Sequence, residues 1–191
     1  DMPHALANAS FVVLAFELLG TGLRLDEGRL FYARWPSWSR LGAMVFDAIS
    51  AIDVLAANQS GFHPAGQPDA LAPYPVVNPA AIYVAGYSLG GALALYTAAL
   101  DERVAGFATI SGWTPMRSDT DARSSGGIRR WWQWHATQPR LGWFAGAEAA
   151  LPYGFGDVLA LAAPKPGFVY QPISDRLCNA SEVAATVHSA V

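Results

Sequence analysis

The chain has 191 residues, 52% of them hydrophobic and 14% charged, with a formal net charge of −3. That balance excludes a disordered chain and favours one domain with a sizeable apolar core. There is no basic cluster beyond Ile128-Arg129-Arg130, which argues against a nucleic-acid partner, and the single cysteine, Cys178, excludes an internal disulfide framework and a cysteine-based metal cluster.

No run of about 18 apolar residues occurs, so no membrane span is expected. The compartment stays open. The first residue is Asp1, without a charged-then-apolar leader, and a processed or cropped chain is the expectation. Residues Leu6 to Ser10 read as the end of a helix. Phe11-Val12-Val13-Leu14-Ala15-Phe16 is a continuous apolar run of strand length and predicts a strand buried on both faces. Gly20 and Gly22 mark turns in the next loop, and residues 26–38 are irregular and aromatic-rich. Ser39 is a candidate N-cap for a helix reaching Ala57. Its Leu41, Met44, Val45, Ala48, Ile49, Ile52 and Leu55 hold helical spacing on one face. Asp47 and Asp53 fall at the flanks of that stripe, a solvated rather than a catalytic placement. Residues 58–79, rich in proline, predict a surface insertion, with His63 solvated within it.

The apolar run Ala80–Ala85 is followed by Gly86-Tyr87-Ser88-Leu89-Gly90-Gly91 and then by the helical stretch Ala92–Leu100. A strand, a glycine-flanked serine and a helix together predict a nucleophile elbow, a sharp turn that holds a serine oxygen clear of the sheet. Strand and helix backbones approach closely in such a turn, so a Cβ at Gly86 or Gly90 is expected to clash. The helix start also aims unpaired N–H groups at developing negative charge. The plainer alternative is an ordinary strand-to-helix turn with Ser88 as a cap. A phosphate loop is disfavoured, since the segment has no P-loop lysine and does not match G-x-G-x-x-G.

Val104–Ile110 predicts another buried strand, and the alternation of strands and helices implies parallel strands with helices on both faces. Residues 111–156 break that rhythm. Ser118 to Gly127 is polar and loop-like, while Trp131, Trp132, Trp134, Trp143, Phe144, Tyr153 and Phe155 form a dense aromatic set. Two placements are open for this set: a cap walling a pocket beside Ser88, or an inserted hairpin packed onto the domain. His135 within it suits a core or rim position. A helix over Asp157–Ala162 leads to a strand over Gly167–Gln171, and Asp175 lies just beyond. Parallel sheets place ligands and catalytic groups at that carboxyl edge. Asp175 also fits a turn or an ion pair with Arg176. Asn179 or Ser181 suits the cap of a last helix reaching Val191.

Acyl transfer by serine needs a histidine base and a carboxylate that orients it, in the chain order Ser, Asp or Glu, His for this kind of turn. Ser88 and Asp175 satisfy the first two, with Asp101 and Asp157 as weaker carboxylates. On Phe11–Phe16 with Gly20-Thr21-Gly22-Leu23-Arg24, on Tyr83–Gly91, and on Ala163-Pro164-Lys165-Pro166 with Asp175-Arg176, the chain resembles the α/β-hydrolase superfamily. Within it the softer likeness is to the branch of dienelactone hydrolases, acetyl xylan esterases and prolyl-oligopeptidase-type hydrolases. In that branch an acid opens the loop after the early strand, and Glu17-Leu18-Leu19-Gly20 departs from the commoner aspartate form. The resemblance implies a single α/β domain over 1–191 with a cap insertion at 113–156. It lacks the first strands and the last strand of the family's sheet, so the chain is expected to be a fragment or a degenerate copy. The implied activity is ester hydrolysis through Ser88, with the Leu89 N–H in the oxyanion hole and Asp175 orienting the base. His188 is the only histidine after Asp175, and it falls in the expected last helix, so the base is expected beyond Val191. A peptidase, and an inactive binding protein of the same fold, are the alternatives. The implied partner is a small ester or acyl compound, and neither cofactor nor metal is called for.

Overall fold

The computed structural model describes residues 2–57, 76–117 and 127–190, so most of the expected insertion over 58–79, with His63, and most of the polar loop over Ser118–Gly127 lie outside the described residues. Helix α1 spans Met2–Asn8 and α2 spans Arg40–Ala57. Strand β1 (Ile82–Tyr87), helix α3 (Leu89–Leu100) and strand β2 (Val104–Ile110) follow. Helix α4 (Phe155–Ala162), strand β3 (Gly167–Tyr170) and helix α5 (Ala180–Ala190) complete the set, with single turns over 22–34 and 127–150.

The three strands form one parallel sheet in the order β1-β2-β3. Helix α3 packs across β1 and β2, with Ala92, Leu95 and Ala98 fully buried, and α2 and α4 flank it. The α2 helix forms as its pattern requires. The Gly42 N–H donates to the Ser39 hydroxyl at 2.9 Å, and Leu41, Met44, Val45, Ala48 and Ile52 are buried on one face. Asp47 and Asp53 lie off that face as expected, yet each is held by an arginine: Arg24 meets Asp47 at 2.6 Å and Arg103 meets Asp53 at 2.6 Å. In the early loop the Leu23 N–H donates to the Glu17 carboxylate at 2.7 Å, and Gly20 takes φ 85°, a value that glycine adopts freely.

The run Phe11–Phe16 does not form the predicted strand. None of the backbone N–H groups of residues 12–16 is bonded among the described residues, and Phe11 is 52% exposed. A doubly buried strand exists only through its neighbours, and β1, the nearest candidate, pairs with β2 alone. The sheet is also one-sided. Register places Val84 and Gly86 with Phe107 and Thr109 on the α3 face, while the opposite face carries the exposed Tyr83, Tyr87, Phe168 and Tyr170. The aromatic set splits likewise. Trp113 stacks on Phe155 at 5.0 Å and Trp131 lies 5.5 Å from the same ring, all three buried in the core, whereas Trp143 is mostly exposed.

Asp101, at the end of α3, ties the helix to β2: its side chain accepts hydrogen bonds from the Arg103 backbone N–H and from the guanidinium. The Arg103 guanidinium holds this buried carboxyl below its ordinary range against the cost of burial. A depressed carboxyl contributes stability at pH values above its unfolded pKa of 3.8, and that contribution is lost as pH falls through the lower folded value. Asp101→Asn should cost roughly 1.5–3 kcal/mol at neutral pH. It should also flatten the decline of the urea midpoint below about pH 5. An unchanged slope in urea titrations would show that Asp101 contributes nothing to acid sensitivity.

Candidate active site

The turn between β1 and α3 is built by backbone contact. An ideal Cβ on Gly86 would collide with the carbonyl group of Gly90, so only glycine fits there. The second close approach is at Gly91 rather than Gly90. A Cβ on Gly91 would sit 2.9 Å from the Gly86 carbonyl oxygen and 3.0 Å from both Gly112 Cα and the Thr109 hydroxyl oxygen, whereas nothing lies within 4 Å of one on Gly90. The expected clash at Gly90 is therefore corrected: that residue sits in the first turn of α3 with its Cβ direction open, and it is the next glycine that meets β1 and the end of β2.

Between these contacts Ser88 is held at φ 51° and ψ −123°, outside the regions open to side-chain-bearing residues, at a cost of order 1–3 kcal/mol. Three backbone bonds over-determine it. Its N–H donates to the Ile110 carbonyl at 2.9 Å, and its own carbonyl accepts from Gly91 at 2.9 Å and Ala92 at 3.2 Å. The hydroxyl is exposed and makes no capping bond. Ser88 thus sits at the helix start without serving as its cap, and its oxygen has no hydrogen-bond partner among the described residues. The adjacent Leu89 opens α3, where backbone N–H groups have no intrahelical acceptor. A second strained serine, Ser111 at φ 49°, directly follows β2, with Gly112 packed beneath the Ser88 turn. The dipeptide Ser111-Gly112 after a strand was the signal available in the sequence for this support.

Asp175 lies five residues beyond β3, half-buried. Its carboxylate accepts from the Leu177 N–H at 2.8 Å and from the Gln171 amide at 3.1 Å, bonds that fix it locally. Residues Asp101 and Asp157 have structural employment, the first with Arg103 and the second accepting the Gly154 N–H at 2.7 Å at the start of α4. His188 stands in the last turn of α5. Among the described residues no hydrogen bond joins Ser88, Asp175 and His188. His135 is on the far edge of the aromatic set, where its backbone carbonyl accepts from Arg40. Partial desolvation, then the charges of Arg130 and Arg40, push its imidazole below the usual range. Sequence reasoning missed one buried pair: Arg130 donates to the Cys178 sulfur at 3.3 Å and to the Leu177 carbonyl at 2.5 Å, which anchors the chain just after Asp175. Burial pushes the Cys178 thiol up, with Arg130 opposing. No group of residues with metal-ligand character clusters among the described residues.

No family model and no curated protein matches the chain. Solved structures do. A CE15 glucuronoyl esterase from Teredinibacter turnerae superposes with a TM-score of 0.60 at 20% identity, over 80% of this chain and 34% of that one. A promiscuous CE15 esterase from a marine bacterial metagenome gives 0.58 at 19% identity, and a glucuronoyl esterase from Solibacter usitatus gives 0.56 at 19%. The chain therefore carries part of the α/β-hydrolase fold of such esterases, and spans about a third of the length of the structures it matches.

The two glycines of the turn should respond in opposite ways. Gly86→Ala should destabilise by about 3 kcal/mol or more, because backbone must move to admit the methyl group. Gly90→Ala should leave stability within about 0.5 kcal/mol of the parent or raise it, as alanine suits a helix better. Chemical denaturation of the two variants decides. Equal losses at both positions would contradict the described contact.

Proposed function

We propose that the protein is a serine hydrolase of carboxylic esters in which Ser88 is the nucleophile of an elbow turn. The observation that carries this reading is the strained, exposed Ser88 whose hydroxyl has no hydrogen-bond partner among the described residues at the start of α3. Strain of this kind persists only where surrounding structure imposes it, and it concentrates at functional sites. In the proposed reaction the Ser88 oxygen attacks the acyl carbon while an imidazole removes its proton. The Leu89 N–H steadies the oxyanion, and the alcohol departs with the proton returned by the imidazole. Water then attacks the acyl-serine by the same route in reverse. Asp175, pinned by Leu177 and Gln171, is assigned to orient the imidazole.

His188 is bonded to neither partner, so the base is assigned to sequence outside residues 1–191. The likeness to glucuronoyl esterases supports an ester over an amide and favours a sugar-acid ester, while the prolyl-oligopeptidase-type members of the resembled branch keep a peptidase as the alternative. The second reading, an inactive binding protein of this fold, is favoured by the missing link between Ser88 and a histidine.

The complete gene product should hydrolyse an aryl acetate and a methyl ester of a uronic acid faster than a matched anilide. Ser88→Ala should lower kcat/KM on the esters at least about 1000-fold, and Asp175→Asn by about 100-fold or more. Ester turnover indifferent to Ser88→Ala would overturn the assignment. Absence of turnover in a folded, complete product would favour the binding protein.

A further inference from the structure

Residues 171–178 carry Asp175 from the end of β3 toward helix α5, and most of their hydrogen bonds stay inside the segment. The Asp175 N–H donates to the Pro172 carbonyl at 3.2 Å, and its carboxylate accepts from Gln171 at 3.1 Å and Leu177 at 2.8 Å. Such bonds shape the loop. They do not place it relative to Ser88. Among the described residues the segment is hydrogen-bonded to other parts of the chain at Leu177 and Cys178 alone.

Both ties meet at one side chain. Arg130 donates through Nη2 to the Leu177 carbonyl at 2.5 Å and through Nη1 to the Cys178 sulfur at 3.3 Å. Leu177 thus has its N–H held by Asp175 and its C=O held by Arg130, which fixes its backbone from both sides. The Cys178 thiol in turn donates weakly to the Ser111 carbonyl at 3.9 Å. Ser111 follows Ile110, whose carbonyl accepts the Ser88 N–H at 2.9 Å. A continuous set of contacts therefore joins the Asp175 carboxylate to the Ser88 turn, with Arg130 at its centre.

Arginine is a costly choice for that position. Arg130 is 6% exposed, and among the described residues no carboxylate lies within ion-pair distance of it. A buried cation without a counter-charge is unfavourable, and an apolar chain of similar length would fill the space more cheaply. What a guanidinium adds is a rigid planar fork that holds two acceptors at a fixed spacing. Its base is equally rigid. Ile128 and Trp131 beside it are buried, and the Trp131 ring packs 5.5 Å from Phe155.

We propose that Arg130 is a positioning residue for the Ser88 reaction, holding Leu177 and Cys178 so that the Asp175 carboxylate keeps one place beside the Ser88 turn. This rests on the ester-hydrolase reading given above. The stretch between β2 and α4 then serves catalysis by holding the acid in register with the nucleophile.

A double-mutant cycle on the complete gene product, with an aryl acetate as substrate, tests this. Arg130→Met should lower kcat by about 10- to 100-fold and leave KM within about 2-fold. In the Asp175→Asn background the same substitution should change kcat by less than about 2-fold, because no carboxylate remains to be placed. Arg130→Lys should fall nearly as far as Arg130→Met, since an ammonium keeps the charge without the fork. Equal losses with and without Asp175 would mark a merely structural residue and overturn the proposal, as would parental kcat in Arg130→Met. Should the Arg130 variants fail to fold, Cys178→Val keeps the volume and removes the sulfur. A loss of about 3-fold or more confined to the Asp175 background supports the proposal, and an equal loss in both backgrounds, or none, overturns it. Turnover that survives Ser88→Ala would instead defeat the hydrolase reading itself, whereas Ser88-dependent turnover with an additive cycle defeats the role of Arg130 alone.

Discussion

Everything near Ser88 depends on one close approach: the backbone of Gly86 against the carbonyl group of Gly90. A helix that begins directly after a strand must turn sharply, and the turn is tight enough that the strand's last interior residue touches the helix's first turn. Removing the Cβ at Gly86 makes the contact possible. Removing it at Gly91 and Gly112 lets the end of β2 slide beneath, where Thr109 fills the remaining space. With both sides fixed, the residue at the apex has no relaxed conformation available. Ser88 absorbs the strain and, in exchange, its hydroxyl stands free of the sheet and of the helix cap.

The same turn explains the asymmetry of the surroundings. Burial is concentrated where α3 covers β1 and β2, and α2 and α4 extend that layer sideways. Among the described residues the opposite face and the outer edge of β1 carry no packed layer, with tyrosines and Phe168 exposed where a parallel sheet ordinarily carries packed residues. Strain at Ser88 is thus supported chiefly from the α3 side. Arg130 supports the neighbouring carboxyl edge. Buried and bonded to the Leu177 carbonyl and the Cys178 sulfur, it clamps the segment that begins at Asp175.

Legibility in the sequence followed locality. Strand β2 and helix α2 were readable to within a residue or two, since an apolar run between turn signals and a helical stripe behind a serine cap are complete local instructions. Parallel pairing followed from the order of elements. Phe11–Phe16 carries an equally good strand pattern and is not one, because strandhood is conferred by a neighbour and none is paired to it. Gly90 was misread for a related reason: the motif names the glycines, but which of them meets the opposing backbone depends on the crossing of strand and helix. The aromatic set could not be sorted by composition. Phe155, Trp113 and Trp131 share one buried cluster across more than forty residues of chain, while Trp143 stands in solvent. Asp175 was legible as a position beyond the sheet's carboxyl edge, and His188 is placed by the helix it belongs to rather than by that edge.

The most direct measurement is covalent capture. A fluorophosphonate probe reacts only with a serine whose oxygen is both accessible and activated, and peptide mapping of the labelled complete gene product locates the adduct. The account predicts a single adduct on Ser88 that is lost in Ser88→Ala. A folded protein that takes up no probe, or one labelled at another serine such as Ser111, would contradict it.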